Sequence, residues 1–148
     1  MAQMVLLGEL QCTPQPLGSL ITVHPQQKLY IGTYDGLGCL DVPTMNFAST
    51  YGKNRILSGS IILTLFEDEQ GDIWAGTTKG LIHIDGKSGN SKTYTTHYGL
   101  PNNTICAIQG NKQHGLWIST NYGITNMDPK TGTFTNYYAG NGCRSRLF

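Results

Sequence analysis

Four histidines (His24, His83, His97, His114) and four cysteines (Cys12, Cys39, Cys106, Cys143) are the side chains of this chain best suited to metal ligation or nucleophilic chemistry. A structural zinc site needs such ligands clustered, as in C-x2-4-C pairs. No such pair occurs, and the histidines are equally dispersed. The cysteines therefore read as isolated small core residues. His83 falls in mid-strand as a packed or edge residue, and His114 replaces a turn glycine and is solvated. The expectation is no catalytic set, no metal site and no cofactor.

A different set of residues suits recognition. The pairs Tyr34-Asp35, Thr78-Lys79 and Asn121-Tyr122 each lie between a Thr and a Gly, in stretches that otherwise repeat: "GTYDGL", "GTTKGL" and "STNYGI". Framing residues barely change, while the enclosed pairs vary in charge, size and aromaticity. Variable positions on a rigid frame carry specificity. Tyrosine rings stack on the C–H faces of a sugar, and the polar partners read its hydroxyls. Tyr34, Asp35, Thr78, Lys79, Asn121 and Tyr122 are thus the candidate ligand-binding residues. Solvated turns free to drift would vary in the same way.

The frame itself is a repeat of about 43 residues. Trp74 and Trp117, Thr77 and Thr120, Gly80 and Gly123, and Asp85 and Asp128 are each 43 apart. Tyr30, Thr33, Gly36 and Asp41 precede the middle set by 44. Within one copy the pattern is strand-like: 60–68, 73–77, 81–85 and 91–98 are rich in β-branched and aromatic residues, and turn sequences separate them. Nineteen glycines and eight tyrosines fit turns and strands. No window shows a helical apolar stripe. Four short antiparallel strands per copy make a β-propeller blade.

The repeated residues then have scaffold roles. One large aromatic per blade, at 30, 74 and 117, fills the layer between blades. Gly36, Gly80 and Gly123 close turns that need positive φ or close packing. Asp41, Asp85 and Asp128 accept backbone N–H groups from the next turn.

"ILTLFEDEQGDIWAGTTKGLIHID" resembles the two-component regulator propeller repeat, I-x-x-I-x-x-D-x-x-G-x-[LI]-W-x-G-T-x-x-G-L. Ile62, Leu65, Asp68, Gly71, Ile73, Trp74, Gly76, Thr77, Gly80 and Leu81 carry the match. The next copy keeps Ile105, Ile108, Leu116, Trp117, Thr120 and Gly123, with Asn111 for Asp, His114 for Gly and Ser119 for Gly. "YGLPNNTI" is similar to the family's connector. The first copy departs most, with Tyr30 for Trp, Gly18 for Ile and His24 for Asp. The resemblance implies the extracytoplasmic sensor region of a hybrid two-component histidine kinase, with a glycan-type ligand. Kinase activity would reside in a downstream region, because this chain has no kinase-like histidine motif. The implied location is periplasmic or extracytoplasmic.

The expected fold is all-β, with blades near residues 17–58, 60–101 and 103–142, and 143–148 starting a further blade. Three blades cannot close a ring, so the chain reads as a piece of a larger propeller whose partners are further blades or another copy. A formal charge of +1 and 13 % charged residues disfavour nucleic acid. No apolar run nears the ~20 residues of a membrane span. "MAQMVLLGEL" lacks the basic start of a secretory signal. The alternatives are a streptogramin-lyase-like enzyme, in which His83 or His114 would serve, and a protein-interaction propeller. A quinoprotein-type enzyme fits less well, since the tryptophan lies in the wrong strand.

Overall fold

The computed structural model describes residues 19–23, 27–48, 59–111 and 113–138. They form three four-stranded antiparallel sheets, each built in chain order. The first contains β1 (Ser19–Val23), β2 (Lys28–Thr33), β3 (Gly36–Asp41) and β4 (Asn46–Ala48). The second contains β5 (Ile62–Glu67), β6 (Ile73–Thr77), β7 (Gly80–Ile84) and β8 (Ser91–Tyr94). The third contains β9 (Ile105–Asn111), β10 (Gly115–Thr120), β11 (Gly123–Asp128) and β12 (Thr133–Tyr137). The chain is all-β, with one turn of 3-10 helix among the described residues. First strands of successive sheets approach one another, β1 to β5 and β5 to β9, so the sheets stack face to face as blades.

The middle sheet shows why β6 reads as a nearly continuous apolar run, for all five of its residues are buried. Side chains alternate faces along a strand. Ile73 and Ala75 join Ile62, Leu65, Ile82 and Ile84 in a core shared with Tyr30, Leu37 and Cys39 of the first sheet. Trp74, Leu81 and Tyr94 point the other way, into a core with Ile105, Leu116, Ile118 and Met127 of the third. Burying a ring of that size is worth a few kcal/mol, and Trp→Ala at such a place costs ~3–5 kcal/mol.

Gly76 lets this second layer close. A Cβ there would lie 2.5 Å from Thr64 Cγ2 and 2.6 Å from Ile105 Cγ2. Only a residue without a side chain allows β9 to approach β6 so closely.

The structure corrects three expectations. Tyr30, Trp74 and Trp117 are equivalent in register, opposite Cys39, His83 and Asn126. However, only the first two are buried. Trp117 is 41 % exposed, because it lies on the face of the third sheet that no described sheet covers. Next, the strand expected over 91–98 ends at Tyr94. Thr95 Oγ1 accepts the His97 N–H at 3.3 Å and starts a 3-10 turn over Thr96–Tyr98, which Gly99 ends at φ 112°. That turn delivers Leu100 into the second core. Finally, Cys39 is a core residue, and burial pushes its thiol above the ordinary value. Cys106 is exposed. It sits at a bulge in β9, where the pairing with β10 passes from Ile105 to Ala107 and leaves Cys106 without a cross-strand partner. Cys12, Gly18, His24, Cys143 and the outer boundaries at 17, 58 and 142 lie outside the described residues.

Candidate functional site

Antiparallel order places the turns after β2, β6 and β10 at one end of the array and the other hairpin turns at the opposite end. The six recognition candidates occupy those three turns.

Each turn is locked by its repeated threonine in the same way. The hydroxyls of Thr33, Thr77 and Thr120 donate to the carbonyls of Gly36, Gly80 and Gly123, all at 2.9 Å. The same oxygens accept the N–H groups of Asp35, Lys79 and Tyr122 at 3.2, 2.9 and 3.1 Å. One side chain thus satisfies both a donor and an acceptor of the hairpin. The closing glycines have φ of 115°, 134° and 103°, the region that other residues avoid. The pairs between Thr and Gly are therefore held rigidly whatever their identity.

The structure sorts the six candidates into two groups. Asp35 Oδ1 accepts the Gly59 N–H at 3.1 Å, and Lys79 Nζ donates to the Gly59 carbonyl at 3.3 Å. These two charges meet on one residue, Gly59, holding the N–H of one of its peptide units and the carbonyl of the other. Thr78 N donates to the Ile61 carbonyl at 3.3 Å, and Asn121 N to the Thr104 carbonyl at 3.2 Å. Asn121 Oδ1 also faces the Cys106 thiol at 3.3 Å. These four residues tie the turns to the segments entering each sheet.

Tyr34 and Tyr122 form the other group and present their rings to solvent, at 42 % and 67 % exposure. Tyr122 pairs with Tyr138, ring centroids 5.5 Å apart and inclined by 49°. Sequence reasoning missed Tyr138. It follows the last strand outside any repeated motif, and no spacing marks it as a neighbour of the turn.

At the opposite end the repeated aspartates cap the next turns as expected. Asp41 Oδ1 accepts from Thr44 N and Oγ1 at 3.0 and 2.7 Å. Asp85 Oδ1 accepts from Lys87 N and Ser88 N at 2.9 and 2.6 Å. Asp128 Oδ1 accepts from Lys130 N at 2.9 Å. These bonds hold the carboxyls of Asp41 and Asp85 below the usual carboxylate range.

Three stacked four-stranded blades with locked turns define a propeller-type repeat array. Residues 56–79, spanning β5, β6 and the Thr77 turn, match the family model described as two component regulator propeller. The chain carries a repeat of that family. Its fold is similar to the extracellular domain of the putative hybrid two component system BT3049 from B. thetaiotaomicron, with a TM-score of 0.71 and 24 % identity over 82 % of this chain. The corresponding domain of BT4673 from the same organism gives 0.70, 17 % and 86 %. PorZ, a surface component of the type-IX secretion system of Porphyromonas gingivalis, gives 0.63, 15 % and 88 %. The matched region spans 17 %, 17 % and 18 % of those chains. No curated protein matches the sequence. Among the described residues no helix is long and apolar enough to cross a membrane.

Proposed function

We propose that these blades belong to the extracytoplasmic, ligand-sensing propeller of a two-component signalling receptor, with the kinase in another part of that receptor. The observation that carries this reading is the family match over residues 56–79, together with folds shared with two extracellular domains of hybrid two-component systems. The segment acts by binding rather than by catalysis. Its ligand is a small molecule or an oligosaccharide, docked on the end formed by the three Thr-locked turns. Tyr34 and Tyr122 supply the stacking surfaces there. Asp35, Lys79, Thr78 and Asn121 hold the turns and offer their remaining hydrogen-bonding capacity to the ligand. Further blades, or another copy of the chain, cover the outer face of the third sheet, where Trp117 and Tyr137 lie 5.7 Å apart. No nucleic-acid or membrane contact is expected of this segment.

An oligosaccharide array probed with the receptor's extracytoplasmic region tests the reading. Tyr34→Ala and Tyr122→Ala should each weaken capture of the bound glycan by about tenfold, a typical loss for one stacking ring, without lowering the melting temperature. Lys79→Ala should lower that temperature, since it releases Gly59. Glycan capture unchanged in the Tyr34/Tyr122 double variant removes this end as the binding surface.

A further inference from the structure

At the other end of the middle blade, three ionisable side chains converge. Asp68 and Asp72 come from the turn between β5 and β6, and His83 comes from β7. One ligand atom from each lies within 4.8 Å of the others. His83 Nε2 and Asp72 Oδ2 are 2.8 Å apart. Each carboxylate is anchored through Oδ1, while Asp72 Oδ2 meets His83 and Asp68 Oδ2 accepts from Trp74 Nε1. Asp68 Oδ1 accepts from Gln70 N and Asp72 N, both at 3.0 Å, and Asp72 Oδ1 accepts from Gly86 N at 2.9 Å. The His83 ring is stacked on Trp74 with centroids 4.1 Å apart, so its edge is aimed and cannot swing.

The third blade shows what the fold alone requires at this place. In the 43-residue register, Asp68, Asp72 and His83 correspond to Asn111, Gly115 and Asn126. There a neutral hydrogen bond, Asn126 Nδ2 to the His114 carbonyl at 2.6 Å, ties the strand to the turn. The middle blade forms the same hairpins with two carboxylates and an imidazole instead. Trp, Thr, Gly and the capping Asp recur between these two blades, whereas the Asp72–His83 pair does not. The blade architecture therefore does not demand it.

We propose that Asp68, Asp72 and His83 form a binding site for a divalent first-row cation, with Zn2+ as the test ion. Imidazole nitrogen and carboxylate oxygens suit this class. Two ligands at the tetrahedral angle on one such ion, each about 2.1 Å from it, lie about 3.4 Å apart, so the 2.8 Å contact between His83 and Asp72 has to open by roughly half an ångström to admit the ion. Asp68 offers the third ligand atom, within 4.8 Å of the other two, and its Oδ2 has a second lone pair while it accepts from Trp74 Nε1 at 2.8 Å. With the ion bound, the imidazole proton sits on Nδ1 and the Nε2 lone pair faces the metal. Water fills the remaining coordination positions, because His83 and Asp72 retain 24 % and 20 % side-chain exposure. The ion would fasten the β5–β6 turn to β7. This site is at the end opposite the recognition turns, so it stands or falls independently of the ligand reading.

The test is calorimetric titration of Zn2+ into the intact chain, with emission of Trp74 followed in a Trp117→Phe background. One ion per chain is expected, with a change in Trp74 emission that saturates at the same ratio. His83→Asn installs the residue that the third blade uses, and Asp72→Asn keeps the shape of the carboxylate. Each should weaken Zn2+ at least tenfold, with the melting temperature in chelator close to that of the parent. The rise in melting temperature with Zn2+ should disappear with them. Zn2+ affinity unchanged in His83→Asn overturns the proposal, as does a titration without saturable binding.

Discussion

Asp68 Oδ2 accepts a 2.8 Å hydrogen bond from the indole Nε1 of Trp74, while Oδ1 of the same carboxylate holds the turn between them. The Asp and Trp of the repeat are thus one device. A buried indole needs a partner for its N–H, and the turn acid supplies it from six residues away. Hydrogen bonds to a charged group are worth about 1.5–3 kcal/mol. Asp68→Ala should therefore lower stability by about 2–3 kcal/mol in denaturant melts. Trp74→Phe removes the donor, so Asp68→Ala should cost about 1 kcal/mol less in that background. Equal costs in both backgrounds would show that the two side chains are not coupled.

The threonine locks differ in burial. Thr77 is fully buried and Thr33 only partly. Thr→Val keeps the shape but leaves a carbonyl and an N–H unpaired, which costs ~1–3 kcal/mol where water cannot reach them. Thr77→Val should be the more damaging, with Thr33→Val near the lower limit. Chemical denaturation of the two variants checks the order, and reversal would mean that the lock does not govern the turn.

Two glycines with positive φ separate strain from collision. Gly59 has φ 72° with nothing within 4 Å of a built Cβ, whereas Gly80 has φ 134° and a Cβ would stand 2.5 Å from the Tyr94 carbonyl oxygen. Gly59→Ala should cost about 1 kcal/mol, the ordinary left-handed penalty. Gly80→Ala should cost at least about 2 kcal/mol more, because backbone of β8 must move. Thermal melts of the pair distinguish them.

Much of this architecture is legible in the sequence because the repeat makes equivalent residues report on one another. A 43-residue offset fixes Trp74 against Trp117 and Thr77 against Thr120, and period-two alternation supplies the strands. Contacts between repeats leave no such mark. Gly76 lies inside the strand read over 73–77 and recurs as Gly32 in the first copy but as Ser119 in the third; its packing role, the close approach of Ile105, is a contact between repeats that spacing does not show. The Gly59 link to Asp35 and Lys79 joins residues 24 and 20 positions apart. Spacing alone cannot distinguish such a staple from a recognition residue. His83 reads as a packed strand residue, which its stacking on Trp74 bears out. Its approach to Asp72 follows from the β6–β7 register, in which Trp74 faces His83 and Ile73 faces Ile84, so that Asp72 in the preceding turn lies diagonally across from it.

Acid should act through the capping aspartates. Hydrogen bonds from the Thr44 side chain and backbone depress Asp41, and those from the Ser88 backbone and side chain, then the Lys87 backbone, depress Asp85. A carboxyl depressed in the folded state contributes stability that is fully present above its unfolded value, near 3.8, and is lost as pH falls through the folded value. Melting temperatures should therefore be insensitive to these groups above about pH 5 and fall below about pH 4. Asp85→Asn should make that acid decline shallower. An identical pH profile for the variant would remove Asp85 as a contributor.

Trp74 and Trp117 hold the same position in consecutive blades, yet they are 1 % and 41 % exposed. Their difference measures what a neighbouring sheet contributes. Trp74→Ala opens a cavity among Leu81, Ile105, Leu116 and Ile118 and should cost ~3–5 kcal/mol. Trp117 rests on Tyr137 beside a cleft of about 670 Å³ that Phe66, His114 and Lys130 also line. Removing its ring from an isolated chain should cost no more than about 1 kcal/mol, since much of that surface is already in water. An exposed tryptophan on a sheet face that no described sheet covers also favours association. Sedimentation of the 148-residue chain should show concentration-dependent self-association, and Trp117→Ala should weaken it while Trp74→Ala acts mainly on folding. If Trp117→Ala destabilises a monomeric chain as much as Trp74→Ala does, the third sheet is covered by another part of the same chain.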